Sequence, residues 1–90
     1  MDHWIRVALE MQGLLKDAEV LYFYEKKAGK AISLGDQAIT LYEENKELSA
    51  FPVVKELYKY ILNFVGNIYL DMKDDKDRFK TYIDKFYKTY

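Results

Sequence analysis

The sequence predicts an all-α protein, an antiparallel bundle of three to four helices that folds as a single helical domain over residues 1–90. Apolar residues recur at spacings of three and four along most of the chain, which is the period of an amphipathic helix. No segment alternates apolar and polar residues over the length of a strand. Half of the residues are apolar, which is enough for a hydrophobic core without disulfide bonds.

The first predicted helix covers residues 1–28. Its apolar positions keep helical spacing at Trp4, Ala8, Met11, Leu15, Ala18 and Tyr22. Asp2 can cap its N-terminus, and Gly29 is expected to end it, because glycine is favoured just beyond a helix C-terminus. Gly13 lies mid-helix, where glycine costs about 1 kcal/mol relative to alanine. A glycine here indicates either that a neighbouring helix passes close to Gly13 or that the helix bends. The sequence does not decide between these two, nor whether residues 1–30 form one helix or two.

A second helix is predicted from Ser33 to about Leu48. Ser33 and Asp36 have the spacing of a capping box, in which each side chain can accept a hydrogen bond from a free amide of the first turn. The apolar positions of this helix are Leu34, Ala38, Leu41 and Leu48. The segment before Pro52 should end it, because the residue preceding a proline is biased away from helix.

A third helix is predicted over residues 52–72, and we expect it at the centre of the bundle. Pro52 is compatible with the first turn of a helix. One apolar stripe consists of Val54, Leu57, Ile61, Phe64, Ile68 and Met72. A second stripe beside it consists of Tyr58, Leu62, Val65 and Tyr69. With two stripes, this helix should be buried on more than one side.

A fourth helix is predicted after the charged run of residues 71–77, with Asp74 or Asp75 as its N-cap. Its apolar face consists of Phe79, Ile83, Phe86 and Tyr90. The charged run lacks the glycine of a calcium-binding EF-hand loop, and the twelfth position counted from Asp71 is Tyr82 rather than glutamate. The run therefore predicts a capping turn and not a calcium site.

The side chains available for catalysis are few. The chain has no cysteine, and its one histidine, His3, lies at the expected start of a helix. Ser33 and Ser49 are the only serines, so the sequence offers no recognisable pair of nucleophile and base. No glutamate is followed three residues later by histidine, as a di-iron bundle requires. We therefore predict a non-enzymatic protein with no catalytic, cofactor or metal site. The sequence does not decide whether the bundle contains a pocket for a small ligand.

The lack of recognisable targeting segments favours a cytoplasmic protein, and the small net charge bears on its partners. The N-terminus lacks the basic and apolar regions of a signal peptide, and no segment has the about 18 consecutive apolar residues of a membrane span. The formal net charge is −1. We expect neither a membrane nor a nucleic acid as a partner, because phosphate binding normally needs a concentrated basic surface.

Tyrosine is unusually frequent, at nine of 90 residues. A tyrosine buries a large apolar ring while its hydroxyl still needs a hydrogen-bond partner, which suits protein interfaces. A chain of this size also has few fully buried positions, so we expect apolar surface to remain exposed. The first-choice interface residues are Tyr58, Leu62, Val65 and Tyr69. The second choices are Tyr22, Tyr82 and Tyr87.

These observations predict a helical adaptor or regulator that acts through protein–protein interaction, with a protein partner, a homo-oligomer or both. A small inhibitor or immunity protein of phage or plasmid type is an alternative with the same physical basis. A further alternative is weak nucleic-acid binding through the basic residues of the C-terminal third, where acidic residues interleave. Those basic residues are Lys73, Lys76, Arg78, Lys80, Lys85 and Lys88.

Residues 28–58 resemble the small helical YlbF/YmcA family of bacterial regulators. The matching positions are Ala28, Ile32, Ala38, Leu48, Pro52, Val54 and Leu57. In that family a long helix ends in an A-x-x-x-I signal and is followed by a short helix, a turn and another long helix. The resemblance implies action through protein partners without an active site. It does not imply the iron–sulfur cluster of some members, because this chain has no cysteine.

Overall fold

The computed structural model describes residues 2–89, which form four α-helices and one short 3-10 helix. The elements are α1 (His3–Phe23), α2 (Ala28–Glu44), the 3-10 helix (Lys46–Ala50), α3 (Pro52–Lys73) and α4 (Lys76–Lys88). No β-strand occurs within this range. The predicted all-α fold is confirmed. The predicted position of Tyr90 on the fourth helix lies outside the described residues.

Helices α2 and α3 form the centre of the bundle and run antiparallel. Gly35, near the middle of α2, lies against the side chain of Val65 in the second half of α3. Further along α2 the ring of Tyr42 stacks on that of Tyr58, near the start of α3, with centroids 4.0 Å apart. A Cβ atom at position 35 would collide with Val65. Glycine is therefore what permits the close approach of these two helices.

Helix α1 packs mainly on α2 and runs antiparallel to it. His3 Nε2, at the start of α1, lies 2.9 Å from Asn45 Oδ1, just after α2. The ring of Trp4 stacks on Phe51, which directly precedes α3, with centroids 4.1 Å apart. Since α1 and α3 are both antiparallel to α2, they run parallel to each other on one side of the bundle.

Helix α4 packs mainly on α3, again antiparallel. The guanidinium of Arg78, near the start of α4, donates to Tyr69 Oη at 3.4 Å, while Lys59 Nζ lies 4.9 Å from the centre of the Phe86 ring. No residue of α4 is fully buried. Its contact face consists of half-buried residues, which are Phe79, Tyr82, Ile83 and Phe86. Helix α4 thus covers α3 without entering the core.

The core is entirely apolar apart from two tyrosine hydroxyls, and no charged side chain is buried among residues 2–89. Its largest fully buried side chains are Met11, Leu48, Val54, Ile61, Leu62, Val65 and Ile68. Burying one such side chain contributes about 1.5–3 kcal/mol to the free energy of unfolding. Four of these seven residues come from the middle and end of α3, which confirms its predicted central position.

The predicted boundary between the first two helices is wrong. Helix α1 ends at Phe23 and α2 begins at Ala28, so the break occupies residues 24–27, where Lys26 has the left-handed φ of 59°. Gly29 does not end a helix and Ser33 does not begin one, because both lie within α2, whose buried stripe starts at Ala31. That stripe consists of Ala31, Ile32, Gly35, Ala38, Ile39 and Tyr42. Residues 1–30 therefore contain α1 and the start of α2.

The end of the second predicted helix also differs. Helix α2 stops at Glu44, and Leu48 is buried from the separate 3-10 helix rather than from α2. The predicted starts of the last two helices are confirmed. Pro52 is the first residue of α3, and Asp75 Oδ1 accepts a hydrogen bond from the backbone N–H of Arg78 at 3.0 Å, which caps α4.

The positions that carry the resemblance to the YlbF/YmcA family lie in α2, in the 3-10 helix and in α3. Ala28 and Ile32 lie in the first two turns of α2, and not at the end of the long helix α1. Pro52, Val54 and Leu57 do begin a long helix.

Candidate functional site

The first-choice interface residues are mostly inside the protein. Leu62 and Val65 are completely buried, and Tyr58 is 5% exposed. Tyr69 is half-buried, with its ring stacked on Tyr82 at a centroid distance of 5.6 Å. The expectation that this stripe faces a partner is wrong for the three buried residues, because α2 and α4 cover it.

The second-choice residues have three different positions. Tyr22 is half-buried and packs edge-on against Phe64, with centroids 5.9 Å apart. Tyr82 is half-buried, and its hydroxyl donates to Asp36. Tyr87 is 70% exposed on α4. The seven predicted residues therefore do not form one surface.

Two hydrogen bonds from tyrosine to carboxylate fasten the side of the bundle where α2 meets α3 and α4. Tyr82 Oη donates to Asp36 Oδ1 at 2.6 Å, and Tyr58 Oη donates to Glu43 Oε2 at 2.6 Å. Lys85 Nζ donates to the same oxygen of Glu43 at 3.0 Å. Burial first, and then the neighbouring carboxylate, raise the pKa of both tyrosines above the usual value for tyrosine. Since these polar groups are paired with each other, we assign them a structural role.

The opposite side of α3 has an apolar surface that the protein leaves uncovered. We call the contact line between α1 and α3 the α1–α3 seam. At one end of the seam lies a groove of about 410 Å³, which we call the apolar groove. Its lining consists of Trp4, Ile5, Ala8, Leu9, Gln12, Val53, Val54 and Leu57. Gln12 is the one polar residue in this set.

Two side chains of the apolar groove project into solvent. Leu9 is 52% exposed and Val53 is 81% exposed. The groove stays open because α1 approaches α3 far less closely than it approaches α2. The stacked rings of Trp4 and Phe51 stand between the two helices at this end.

The other end of the seam is a second concavity, which we call the aromatic pocket. Its lining consists of Tyr22, Phe23, Tyr60, Asn63, Phe64, Asn67, Ile68 and Asp71. Phe23 and Tyr60 are each 52% exposed. Tyr60 Oη donates to Glu19 Oε2 at 3.0 Å, a hydrogen bond that links α3 to α1 and raises the pKa of Tyr60.

His3 and Ser49 each contact polar groups close to them. His3 Nε2 lies near Asn45 and 3.5 Å from Glu47 Oε1 at the outer end of the bundle. Ser49 Oγ donates to the carbonyl of Lys46. Within residues 2–89, no cluster of histidine, cysteine, aspartate or glutamate is suited to hold a metal ion. No helix in the described part of the chain is long and apolar enough to cross a membrane.

Two other grooves have mixed linings. The larger of these two, about 640 Å³, lies between α1 and α2 and is lined by both apolar and polar residues, including Glu10 and Asp36. The groove between α2 and α4 contains the Tyr82–Asp36 hydrogen bond and the Lys85–Glu43 ion pair. Lys85 is one of the basic residues considered for nucleic-acid binding, and here it faces a carboxylate.

Sequence reasoning missed the α1–α3 seam, although the sequence contains a signal for it. Ile5, Leu9 and Phe23 each follow by one residue a member of the predicted α1 stripe, so they point about 100° away from that stripe around the helix. Large apolar residues on the solvent side of a helix indicate a contact surface when they cluster. The high tyrosine count drew attention to α4 and the second stripe of α3 instead.

Comparisons with protein-family models, with curated proteins and with solved structures find no match to this chain. A helical bundle by itself is compatible with many functions, so its function has to be argued from its surfaces. The lining of the apolar groove has one polar residue, and four apolar side chains of the α1–α3 seam are more than half exposed, so the seam is the candidate functional site.

Proposed function

We propose that this protein is a non-enzymatic adaptor or regulator that binds a protein partner through the α1–α3 seam. The observation that supports this proposal is the clustering of exposed apolar side chains along one line. Leu9, Phe23, Val53 and Tyr60 are each more than half exposed and all lie on the seam. Scattered exposed apolar residues are normal, whereas contiguous ones typically mark an interaction site.

The shape of the seam favours a helical partner segment. Two parallel helices with a shallow apolar depression between them can receive a third helix that inserts its apolar face. From Val53 to Asp71, α3 extends about 27 Å at 1.5 Å per residue. A partner helix of about five turns would cover that length. A second copy of this chain could supply such a helix as well as a different protein could.

The test compares seam variants with a matched control. Leu9→Ser and Val53→Ser remove apolar side chains that are largely exposed, so they should leave folding unchanged. Tyr87→Ser removes an exposed ring on α4, away from the seam. Light scattering after size exclusion and affinity capture from the native cell would be carried out on all three variants and the wild type.

We expect the wild type and Tyr87→Ser to self-associate or to capture the same partner. The two seam variants should lose that association, with circular dichroism confirming that they still fold. The proposal is wrong if the wild type is a monomer without a partner. It is equally wrong if the association survives both seam substitutions.

A further inference from the structure

The aromatic pocket has walls that face in different directions. The ring centroids of Tyr22 and Phe23 are 5.0 Å apart with an interplanar angle of 66°, and those of Tyr22 and Phe64 are 5.9 Å apart at 89°. Phe23 and Phe64 are 6.2 Å apart at 53°. Tyr60 adds a fourth ring to the lining. The rings are therefore inclined to one another around one depression.

The charges at this pocket are of one sign. Asp71 belongs to the lining of the pocket. Glu19 lies at the edge of the pocket, because its carboxylate accepts a hydrogen bond from Tyr60, another lining residue. No lysine or arginine belongs to the lining. Among residues 2–89, Asp71 takes part in none of the ion pairs that the structure forms. An aromatic depression is thus combined with a carboxylate that forms none of these ion pairs.

The complementary group for such a site is a cation with an apolar stem. The face of an aromatic ring attracts cations that lie within about 6 Å of its centre, and a nearby carboxylate adds a Coulombic attraction. The volume of the pocket is about 270 Å³. Sites for free small molecules typically measure about 300–1,000 Å³. The size therefore suits one side chain better than a whole ligand.

We infer that the aromatic pocket binds a lysine or arginine side chain of the partner that occupies the α1–α3 seam. This inference rests on the proposed function and defines the partner further. The centres of the two concavities are separated along α3 by about ten residues, or about 15 Å. A helical partner should therefore carry apolar residues at one end of its contact face and a basic residue about ten positions away. The pocket therefore determines which end of the partner helix lies at which end of the seam.

The test uses small probes in place of the unidentified partner. n-Butylammonium and n-butylguanidinium reproduce the ends of lysine and arginine, and n-butanol is the neutral control of the same chain length. Each is titrated into the full protein while NMR records the ring signals of Tyr22, Phe23, Tyr60 and Phe64. The same titrations are repeated on Asp71→Asn and on Asp84→Asn, which makes an equal change in net charge at an exposed position of α4.

We expect saturable shifts of the four rings with both cations and binding of n-butanol at least about fivefold weaker. Asp71→Asn should weaken cation binding about fivefold, the effect of an exposed charge pair, while Asp84→Asn leaves it unchanged. The inference is overturned if n-butanol binds as well as the cations, if no ring signal shifts, or if both variants have equal effects. Asp71 is exposed, so neither outcome depends on a folding defect.

Failure of this inference can be distinguished from failure of the proposed function. If Leu9→Ser and Val53→Ser abolish association while no cation binds the pocket, the adaptor proposal stands and the basic anchor is wrong. If the cations bind but the seam variants associate normally, the pocket recognises a cation outside the proposed interface. That second result would contradict the inference as well, because it assigns the cation to the partner in the seam.

Discussion

On one flank of α3, Leu62 and Val65 are completely buried beneath α2 and α4, whereas on the other flank Val53 is 81% exposed and Tyr60 52% exposed beside α1. Both flanks are rich in apolar residues, so composition does not account for the difference. We call the first the closed flank and the second the open flank. The distance at which the neighbouring helix packs distinguishes them.

Glycine permits close packing on the closed flank. Gly35 of α2 accommodates Val65, and a Cβ atom on Gly66 would lie only 3.2 Å from the Cβ atom of Tyr82 in α4. On the open flank, aromatic rings stand between α1 and α3, among them Trp4 stacked on Phe51. Small residues therefore let helices meet and hide their apolar surface. Large rings keep helices apart and leave a groove that another molecule can fill.

The largest expected effect comes from truncating the core of the closed flank. Leu62→Ala should lower the free energy of unfolding by about 2–5 kcal/mol, because it removes buried apolar contacts and leaves a cavity. The same substitution on the open flank, Leu9→Ala, should change it by about 0.5 kcal/mol or less. Urea denaturation of both variants measures the contrast. Equal losses would mean that the open flank is not open in solution.

The next effect tests the close approach of α2 and α3. Gly35→Ala should destabilise the protein by about 1–3 kcal/mol, because the added methyl group collides with Val65 in a packed interior. The same urea titration measures this loss. A neutral or stabilising result would show that the two helices are further apart than described, since alanine otherwise favours a helix.

A smaller effect concerns the hydrogen bond between Tyr82 and Asp36 on the closed flank. Tyr82→Phe should lower the free energy of unfolding by about 1–2 kcal/mol at pH 7, because a half-buried carboxylate loses its donor. The loss should depend on pH. The pKa of Tyr82 is raised in the folded state, first by burial and then by Asp36, whereas the unfolded chain ionises tyrosine at about pH 10.

Above pH 10 the folded state therefore holds a proton that the unfolded state has lost, and stability falls as the pH rises by up to about 1.4 kcal/mol per unit. The stabilising contribution is complete below pH 10 and decreases above it. The difference between wild type and Tyr82→Phe should shrink between pH 10 and pH 11 in urea titrations. Tyr87→Phe, which alters an exposed ring, is the control and should follow the wild type at every pH.

The smallest effect has the opposite sign. Gly13 lies in the middle of α1, and a Cβ atom there would meet nothing within 4 Å. Gly13→Ala should therefore stabilise the protein by up to about 1 kcal/mol, the helix-propensity difference between the two residues. Thermal denaturation would show the gain as a higher Tm. A loss of stability would indicate that α1 packs against something at this position.

Local signals predicted α3 and α4 well. Proline at the first position of α3 and an aspartate before α4 act on the nearest backbone groups, so their effect is visible in the sequence alone. The end of α1 was less predictable. The turn at residues 24–27 contains no glycine, and its left-handed residue is Lys26. Gly29 was predicted to end a helix, yet it lies in the first turn of α2, where packing of the buried stripe that begins at Ala31 outweighs the low helix propensity of glycine.

The location of the candidate site depended on tertiary packing. Both stripes of α3 were visible in the sequence, but which of them α4 would cover was not, because α4 could have packed on either. Leu62 and Val65 are completely buried, Val65 against Gly35 of α2, so the stripe predicted as an interface became core. The exposed line formed instead on the flank of α1, from residues such as Leu9 and Val53 that the stripe pattern had left aside.

The central claim is that the open flank is where this protein meets its partner, and site-specific photo-crosslinking tests it directly. A benzophenone amino acid would be placed at position 53 in the seam and, as a control, at position 87 on α4, both exposed. After irradiation in the native cell, we expect a covalent adduct with a protein at position 53 and none at position 87. No adduct at position 53, or an adduct at position 87 alone, would contradict the account.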